Sequence, residues 1–477
     1  MTDQHSETND LPPPPDSQGS TYEHRGIIRL IVRWLVRFYY PRIEIDGASQ
    51  INRDGPVLLC ANHANSLIDP VLIGIAVGRP VRFMAKAPLF DHPILGPPMN
   101  ALGMIPVFRG SDDKGQVKRN IESLSIGADV LKNGQAMGIF PEGKSTDQTH
   151  LEMIRSGAAR MAIQAAEEGA RSVQVVPISL TYQRKDRFRS SVWIRIGRPI
   201  DVDQLLKEND DNVRKARRAL TTELECRLKE IVVHLDEPKW ELWLGDLEIL
   251  LPPADPSRKP SVFLSHRHRI ANAMNYFFQT DPSRAEAIAK AIDEYRQNVD
   301  SAGLRIDSLV LRASALTVLS VLLRDVLLLV VLFPAAIFGT LYHIVPFALV
   351  RYFAGRMDQP GRKTISSNRM LVGVPSYLTW YVVVAIVLFL LRVPWIACGS
   401  VVLAPFFGVV AMYYWRQAVA TVSLIRHQFR ALFQGNRLRE LKAQRSPLKA
   451  KLAEVSSEYR ATLSTVPSDQ PLSSQET

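Results

Sequence analysis

Residues 59–73 read LCANHANSLIDPVLI, and the fold turns on this stretch. The apolar run Val57–Cys60 that leads into it has the length of a buried strand, His63 follows that run, and Asp69 stands six positions later, just before Pro70. Outward from here, strand-like runs recur at Val81–Ala85, Ala136–Phe140, Val173–Leu180 and Val192–Ile196. Helical stretches such as Lys118–Leu131 and Ser156–Glu168 lie between them. Strands and helices alternating at this spacing predict an α/β domain over residues 42–235. Open α/β sheets gather their chemistry at strand ends, and the polar motifs of this domain fall there.

Each motif carries a chemical reading and a bland one. A neutral histidine accepts a proton from an alcohol at neutral pH, and a carboxylate behind it fixes the tautomer and stabilises the imidazolium that forms. If the turn at Ala64–Ile68 folds back, Asp69 reaches the ring nitrogen of His63 that faces away from substrate. Taken alone, such a pair serves structure at least as readily. In GMIPVFRG, residues 103–110, an apolar run delivers Arg109, whose rigid fork of donors suits phosphate oxygens or an ordinary surface ion pair. In GIFPEGKSTD, residues 138–147, Glu142 and Lys144 stand at a strand end on either side of Gly143, which permits a positive φ or a close backbone approach. The upstream glycines of a Walker A loop are missing, so Lys144 is not a P-loop lysine. VVPISL, residues 175–180, reads by itself as a buried structural strand.

The flanking sequence sets the context. Residues 1–20 are polar, with prolines at 12–15, and read as a disordered leader rather than a secretory signal. Over residues 21–41, Arg25, Arg29, Arg33 and Arg37 recur every four residues between apolar positions, so an amphipathic helix is expected, either lying in a lipid interface with its guanidinium groups toward head groups or packed on the next domain. Residues 236–305 read as a helical linker. From 306 to 416 the chain changes character: Val326–Val350 carries no charged residue, and Tyr377–Leu391 with Val393–Trp415 form two further apolar runs. Membrane-embedded helices are expected there. The short basic connector Arg351–Arg369 favours the cytoplasmic side, which asks for an even number of crossings before it: Leu311–Val350 either as a hairpin broken near Pro334 and Pro346 or as a segment that dips in and returns, then a second hairpin over Tyr377–Trp415. Residues 417–477 read as a polar helical, then disordered tail, with Leu441, Leu448, Leu452 and Val455 at packing spacings. The formal charge of +11 over 477 residues sits beside apolar runs, without zinc-finger or RNA-binding motifs, and this points to lipid rather than nucleic acid. Three cysteines, Cys60, Cys226 and Cys398, make neither a disulfide framework nor a metal site.

In order, the blocks NHANSLID, GMIPVFR, FPEGKS and VPI closely resemble those of the glycerolipid acyltransferases of the lysophosphatidate and glycerol-3-phosphate acyltransferase type, over residues 50–200. The long apolar C-terminal part resembles the larger forms of that superfamily. The resemblance implies an acyltransferase-like α/β domain and an acyltransferase activity; the apolar runs and the basic connector add the expectation of an integral membrane protein with its catalytic domain on the cytoplasmic side. It implies His63 as general base with Asp69 as its partner, and Arg109, Glu142 and Gly143 as acceptor-binding residues. Lys86, in FMAKAPLF, matches a basic residue often found between the first two blocks. The implied reaction moves a fatty acyl group from an acyl-CoA or acyl-carrier-protein thioester to a hydroxyl of glycerol 3-phosphate or dihydroxyacetone phosphate. A lysophosphatidate acceptor is the alternative, and a non-catalytic scaffold or transporter a remoter one. No metal and no cofactor beyond the thioester donor is implied; membrane lipids and an acyl carrier protein are the expected partners. Two departures stand out: five residues rather than four separate His63 from Asp69, and Lys144-Ser145 replaces Thr-Arg, so that Lys144 stands one position before the family's arginine.

Overall fold

The computed structural model describes residues 22–108, 116–147, 149–253, 259–357 and 362–465. These divide into two compact units: one runs to Thr146 and resumes over Leu151–Val232, the other comprises Asp147–His150 and the chain from Val233 onward.

The first unit opens on α1 (Tyr22–Tyr39) and continues through β1 (Arg42–Asp46), β2 (Val57–Ala61), α2 (Ile68–Val77), β3 (Val81–Lys86), α3 (Gly96–Ala101), β4 (Ile105–Val107) and α4 (Gln116–Lys132). It is completed by β5 (Ala136–Ile139), α5 (Gly157–Glu167), β6 (Gln174–Tyr182), β7 (Ser191–Ile196), β8 (Ile200–Asp201), α6 (Val202–Glu208) and α7 (Val213–Ile231). The strands form one sheet in the order β1-β7-β6-β2-β5-β3-β4, with β8 beside β6. Neighbours from β6 through β4 are parallel, whereas β7 runs antiparallel to β6. Every side chain of β2 is buried, the pattern of a central parallel strand covered on both faces. Its Leu58 and Cys60 share a core with Met137 of β5, Met161 and Ile163 of α5, and Leu220 and Leu224 of α7. Parallel strands end along a common edge, so the residues following β2, β5, β3 and β4 arrive there together.

Helix α1 attaches through Val36 and Tyr39, while Ile27, Leu30, Ile31, Trp34 and Phe38 are exposed. The arginine stripe does not all face outward, because Arg33 donates to the Gly74 carbonyl at 2.7 Å. That oxygen lies in the last turn of α2, where carbonyls lack intrahelical donors and attract a cation.

The second unit is helical: α8 (Glu241–Leu250), α9 (Pro260–Thr280), α10 (Pro282–Ser301), α11 (Ala315–Met357), α12 (Ile365–Leu390), α13 (Pro394–Phe433) and α14 (Gly435–Thr465). Leu441, Leu448 and Leu452 of α14 bury against Leu244 and Leu250 of α8 and Ile292 and Val299 of α10. Helices α11, α12 and α13 are each long and apolar enough to cross a membrane. The expected break in Leu311–Val350 does not occur. Helix α11 is continuous through Pro334 and Pro346; each proline removes one backbone donor, whereas opening the helix in an apolar setting would strand several. Helix α13 runs back along α11. Phe407 packs on Phe338 with ring centroids 5.0 Å apart, Trp415 Nε1 donates to Thr340 Oγ1 at 2.9 Å, and Ala431 buries with Val318 and Val310.

Candidate active site

Strand β2 delivers His63 to the common edge, and the strand end is fixed by a side chain: Asn62 Oδ1 accepts from the Leu180 amide at 2.7 Å, while its Nδ2 donates to the Leu180 carbonyl at 3.2 Å. The chain then turns and enters α2, whose first turn carries Asp69. His63 Nδ1 lies 2.9 Å from Asp69 Oδ2. The five intervening residues are accommodated by placing Ser66 at a φ of 27°, a backbone state uncommon outside glycine. Asp69 is fully buried, whereas the His63 side chain is 16% exposed, so the ring keeps a path to solvent. With the carboxylate accepting from Nδ1, Nε2 is the nitrogen left with a free lone pair.

Asp69 is held by more than the histidine. Its Oδ2 also accepts from the Asn65 amide at 2.7 Å, and its Oδ1 accepts from the Tyr182 hydroxyl at 2.5 Å. Burial, together with the Asp69 charge, pushes the Tyr182 phenol well above its ordinary pKa, so it remains a donor. Asn65 Nδ2 donates to the Tyr40 hydroxyl at 2.9 Å, and that hydroxyl donates to the Lys185 carbonyl at 2.5 Å. Lys185 in turn donates from Nζ to the carbonyls of Ala64 and Thr146, both at 3.2 Å. Tyr40 reads in the sequence as an aromatic near a lipid boundary but is fully buried here; Tyr182, Asn65 and Lys185 carry no functional signal of their own, and Tyr182 lies 113 positions from Asp69.

Strand β5 brings the second block alongside. Phe140 stacks on the His63 ring, with centroids 3.9 Å apart and planes 12° from parallel. A side chain at Gly138 would overlap the Phe83 ring, which stacks on Phe140 at 6.0 Å. Beyond Pro141, Glu142 turns inward: its Oε1 accepts from the His63 amide at 2.8 Å and its Oε2 from the Glu152 amide at 3.3 Å. The Thr146 amide donates to the His63 carbonyl at 2.9 Å, so the turn and the histidine are tied in both directions. Burial pushes the Glu142 carboxyl up to about 7, against these two amide donors. Gly143 has a φ of +70°, as its residue type allows. Glu142 thus binds backbone here, with neither oxygen directed at solvent.

The cations are distributed unequally. Lys86 stands exposed at the end of β3, on the same edge as His63. Lys144 Nζ lies 2.9 Å from Glu152 Oε1. Arg109 lies outside the described residues; the last described residue before it is Phe108, whose amide donates to Asn120 Oδ1 at 2.9 Å just beyond β4.

A family profile described as "Acyltransferase" matches residues 42–181, a range that contains the sheet edge and both blocks. The chain is 26% identical over 277 residues to glycerol-3-phosphate O-acyltransferase 2 of Saccharomyces cerevisiae, a match covering 56% of this chain and 36% of that protein. It is 31% identical over 160 residues to the chloroplastic 1-acyl-sn-glycerol-3-phosphate acyltransferase LPAT1 of Arabidopsis thaliana, covering 33% of this chain and 40% of the other. Against the 1-acyl-sn-glycerol-3-phosphate acyltransferase of Streptococcus pneumoniae it is 28% identical over 199 residues, covering 40% and 68%. The chain thus spans well under half the length of the first two relatives. The profile range falls on the α/β domain that carries this edge, and the chain is similar in part to glycerolipid acyltransferases.

Proposed function

We propose that this chain is a membrane-bound acyltransferase that moves a fatty acyl group from an acyl-CoA or acyl-carrier-protein thioester to a hydroxyl of glycerol 3-phosphate or dihydroxyacetone phosphate. The observation that carries the reading is the His63 Nδ1 to Asp69 Oδ2 contact of 2.9 Å, with a ring that stays reachable from solvent. In the reaction, His63 Nε2 takes the proton of the acceptor hydroxyl as that oxygen attacks the thioester carbonyl carbon. Asp69 stabilises the imidazolium. The tetrahedral intermediate collapses, its carbon–sulfur bond breaks, and the imidazolium returns the proton to the leaving thiolate. Direct transfer needs no acyl-enzyme. Cys60, the nearest thiol in sequence, is buried and its pKa is raised by desolvation, which keeps it protonated and unreactive. Arg109, Lys86 and Lys144 are assigned to the acceptor's phosphate, and Glu142 and Gly143 to the turn that shapes its site. Holding the acceptor in place converts a bimolecular encounter into an oriented one, worth roughly 7 to 11 kcal/mol in favourable cases.

The second reading is acylation of 1-acylglycerol 3-phosphate, favoured by the names of the Arabidopsis and Streptococcus relatives. The first has the longer match, 277 residues against 160 and 199. Membranes carrying the full chain, supplied with radiolabelled acyl-CoA and each of the three acceptors in turn, decide between them. His63→Ala should abolish transfer to every acceptor while the protein remains folded and membrane-bound. Transfer at the wild-type rate by that variant would sink the base assignment.

A further inference from the structure

We infer that Arg155 supplies a guanidinium that grips the acceptor's phosphomonoester, replacing through space the arginine that this chain lacks after Gly143; the inference rests on the acyl-transfer reading above. Ser145 stands where the resemblance calls for arginine, and Lys144 before it shares its charge with Glu152, Nζ to Oε1 2.9 Å, so that it grips a phosphate less strongly than an uncommitted cation. Arg155 follows Ile154, a core residue that anchors the segment leading to α5. Its own amide donates to the Pro141 carbonyl at 3.0 Å, which pins this backbone to the Phe140–Gly143 turn. The side chain then lies across Gly143. A methyl group placed on that glycine would stand 3.3 Å from Arg155 Nε and 3.4 Å from its Cδ and Cζ. Gly143 directly follows Glu142, whose carboxylate holds the His63 amide at 2.8 Å. The guanidinium is therefore two short steps from the catalytic ring, exposed, and paired with no carboxylate among the described residues.

That placement also accounts for glycine at position 143 beyond its φ. An alanine would crowd the guanidinium as well as strain the backbone, so the residue that opens the turn also seats the arginine. A planar fork of donors on the turn that is tied to the His63 backbone suits the acceptor's dianionic phosphate, several bonds along the glycerol chain from the reacting hydroxyl, where bidentate contact fixes orientation as well as affinity. Phosphate could also arrive on the donor, as part of coenzyme A. The two sources separate experimentally.

Isothermal titration of the full chain in detergent with inorganic phosphate and with glycerol 3-phosphate needs no turnover, so its outcome stands apart from the transfer reading, which His63→Ala tests by activity. Arg155→Ala should weaken both ligands on the order of 10- to 100-fold, as loss of a charge-assisted pair does, and Arg155→Lys should recover part of it. In steady-state assays the same variant should raise the acceptor KM and leave the acyl-CoA KM within about twofold, with an unchanged unfolding midpoint. Phosphate binding equal to wild type, no phosphate binding by wild type, or a shift confined to the acyl-CoA KM would each overturn the assignment.

Discussion

Asp69 receives hydrogen bonds from His63 Nδ1, the Asn65 amide and the Tyr182 hydroxyl, so its carboxylate has no freedom to turn from the ring. Tyr182→Phe removes one of these and leaves Asp69 Oδ1 buried without its donor. The variant should lose about 1 to 3 kcal/mol of stability, and turnover should fall about tenfold with both KM values held, because the tyrosine acts on the carboxylate rather than on substrate. Wild-type turnover would remove Tyr182 from that role. Glu142 gives a pH dependence. Its pKa rises from 4.5 to about 7 on folding, so the folded state holds this proton more tightly than the unfolded chain. The associated stability is full below pH 4.5 and is lost as pH rises through about 7; its size is about 3 kcal/mol. Glu142→Gln cannot ionise, so between those limits its unfolding midpoint should fall less steeply than that of wild type, and parallel curves would contradict the shift. At this scale the sequence discloses what is local. His63 and Asp69 sit six positions apart in one loop, whereas Tyr182 and Tyr40 reach the same carboxylate network only because β6 pairs with β2 and α1 ends beside it.

Buried parallel strands are the elements easiest to read, since β2, β5 and β6 are nearly continuous apolar runs. Strands β1 and β4 were not. The first, RIEID, alternates charge with aliphatic side chains at the sheet edge, and the second spans three residues, too few for a period to register. Within the sheet, Gly138→Ala should push the Phe83 ring from its place against Phe140 and cost about 1 to 3 kcal/mol, measured by thermal unfolding. Among the apolar helices, composition marks the spans but not their ends: proline reads as a break, yet α11 carries two and continues. Its pairing with α13 depends on a small residue. A side chain at Gly339 would collide with the Phe407 carbonyl, so Gly339→Leu should separate the two helices and lower the midpoint of unfolding in detergent.

The three helices of spanning length among the described residues suggest an odd number of crossings, but the second unit argues otherwise. Val318, near the start of α11, buries with Ala431, near the end of α13. Two points in contact lie on one side of a bilayer, so the crossings between them must be even in number. Cysteines placed at Ser314 and Gly435, in a chain freed of its native thiols, should both react with an impermeant maleimide from the same face; labelling from opposite faces would refute the parity. The basic connector asked for an even count before Arg351, within Leu311–Val350; the unbroken α11 has no turn there at which to make a second crossing, so the helix does not meet that expectation. One feature of the first unit bears on how such a protein is handled. Tyr40, at the foot of a helix with an exposed greasy flank, props the loop that carries the imidazole. Removing residues 1–41 to ease handling would therefore slacken the loop of the proposed proton acceptor, and the detergent-held remnant should turn over slowly even when every substrate is dissolved.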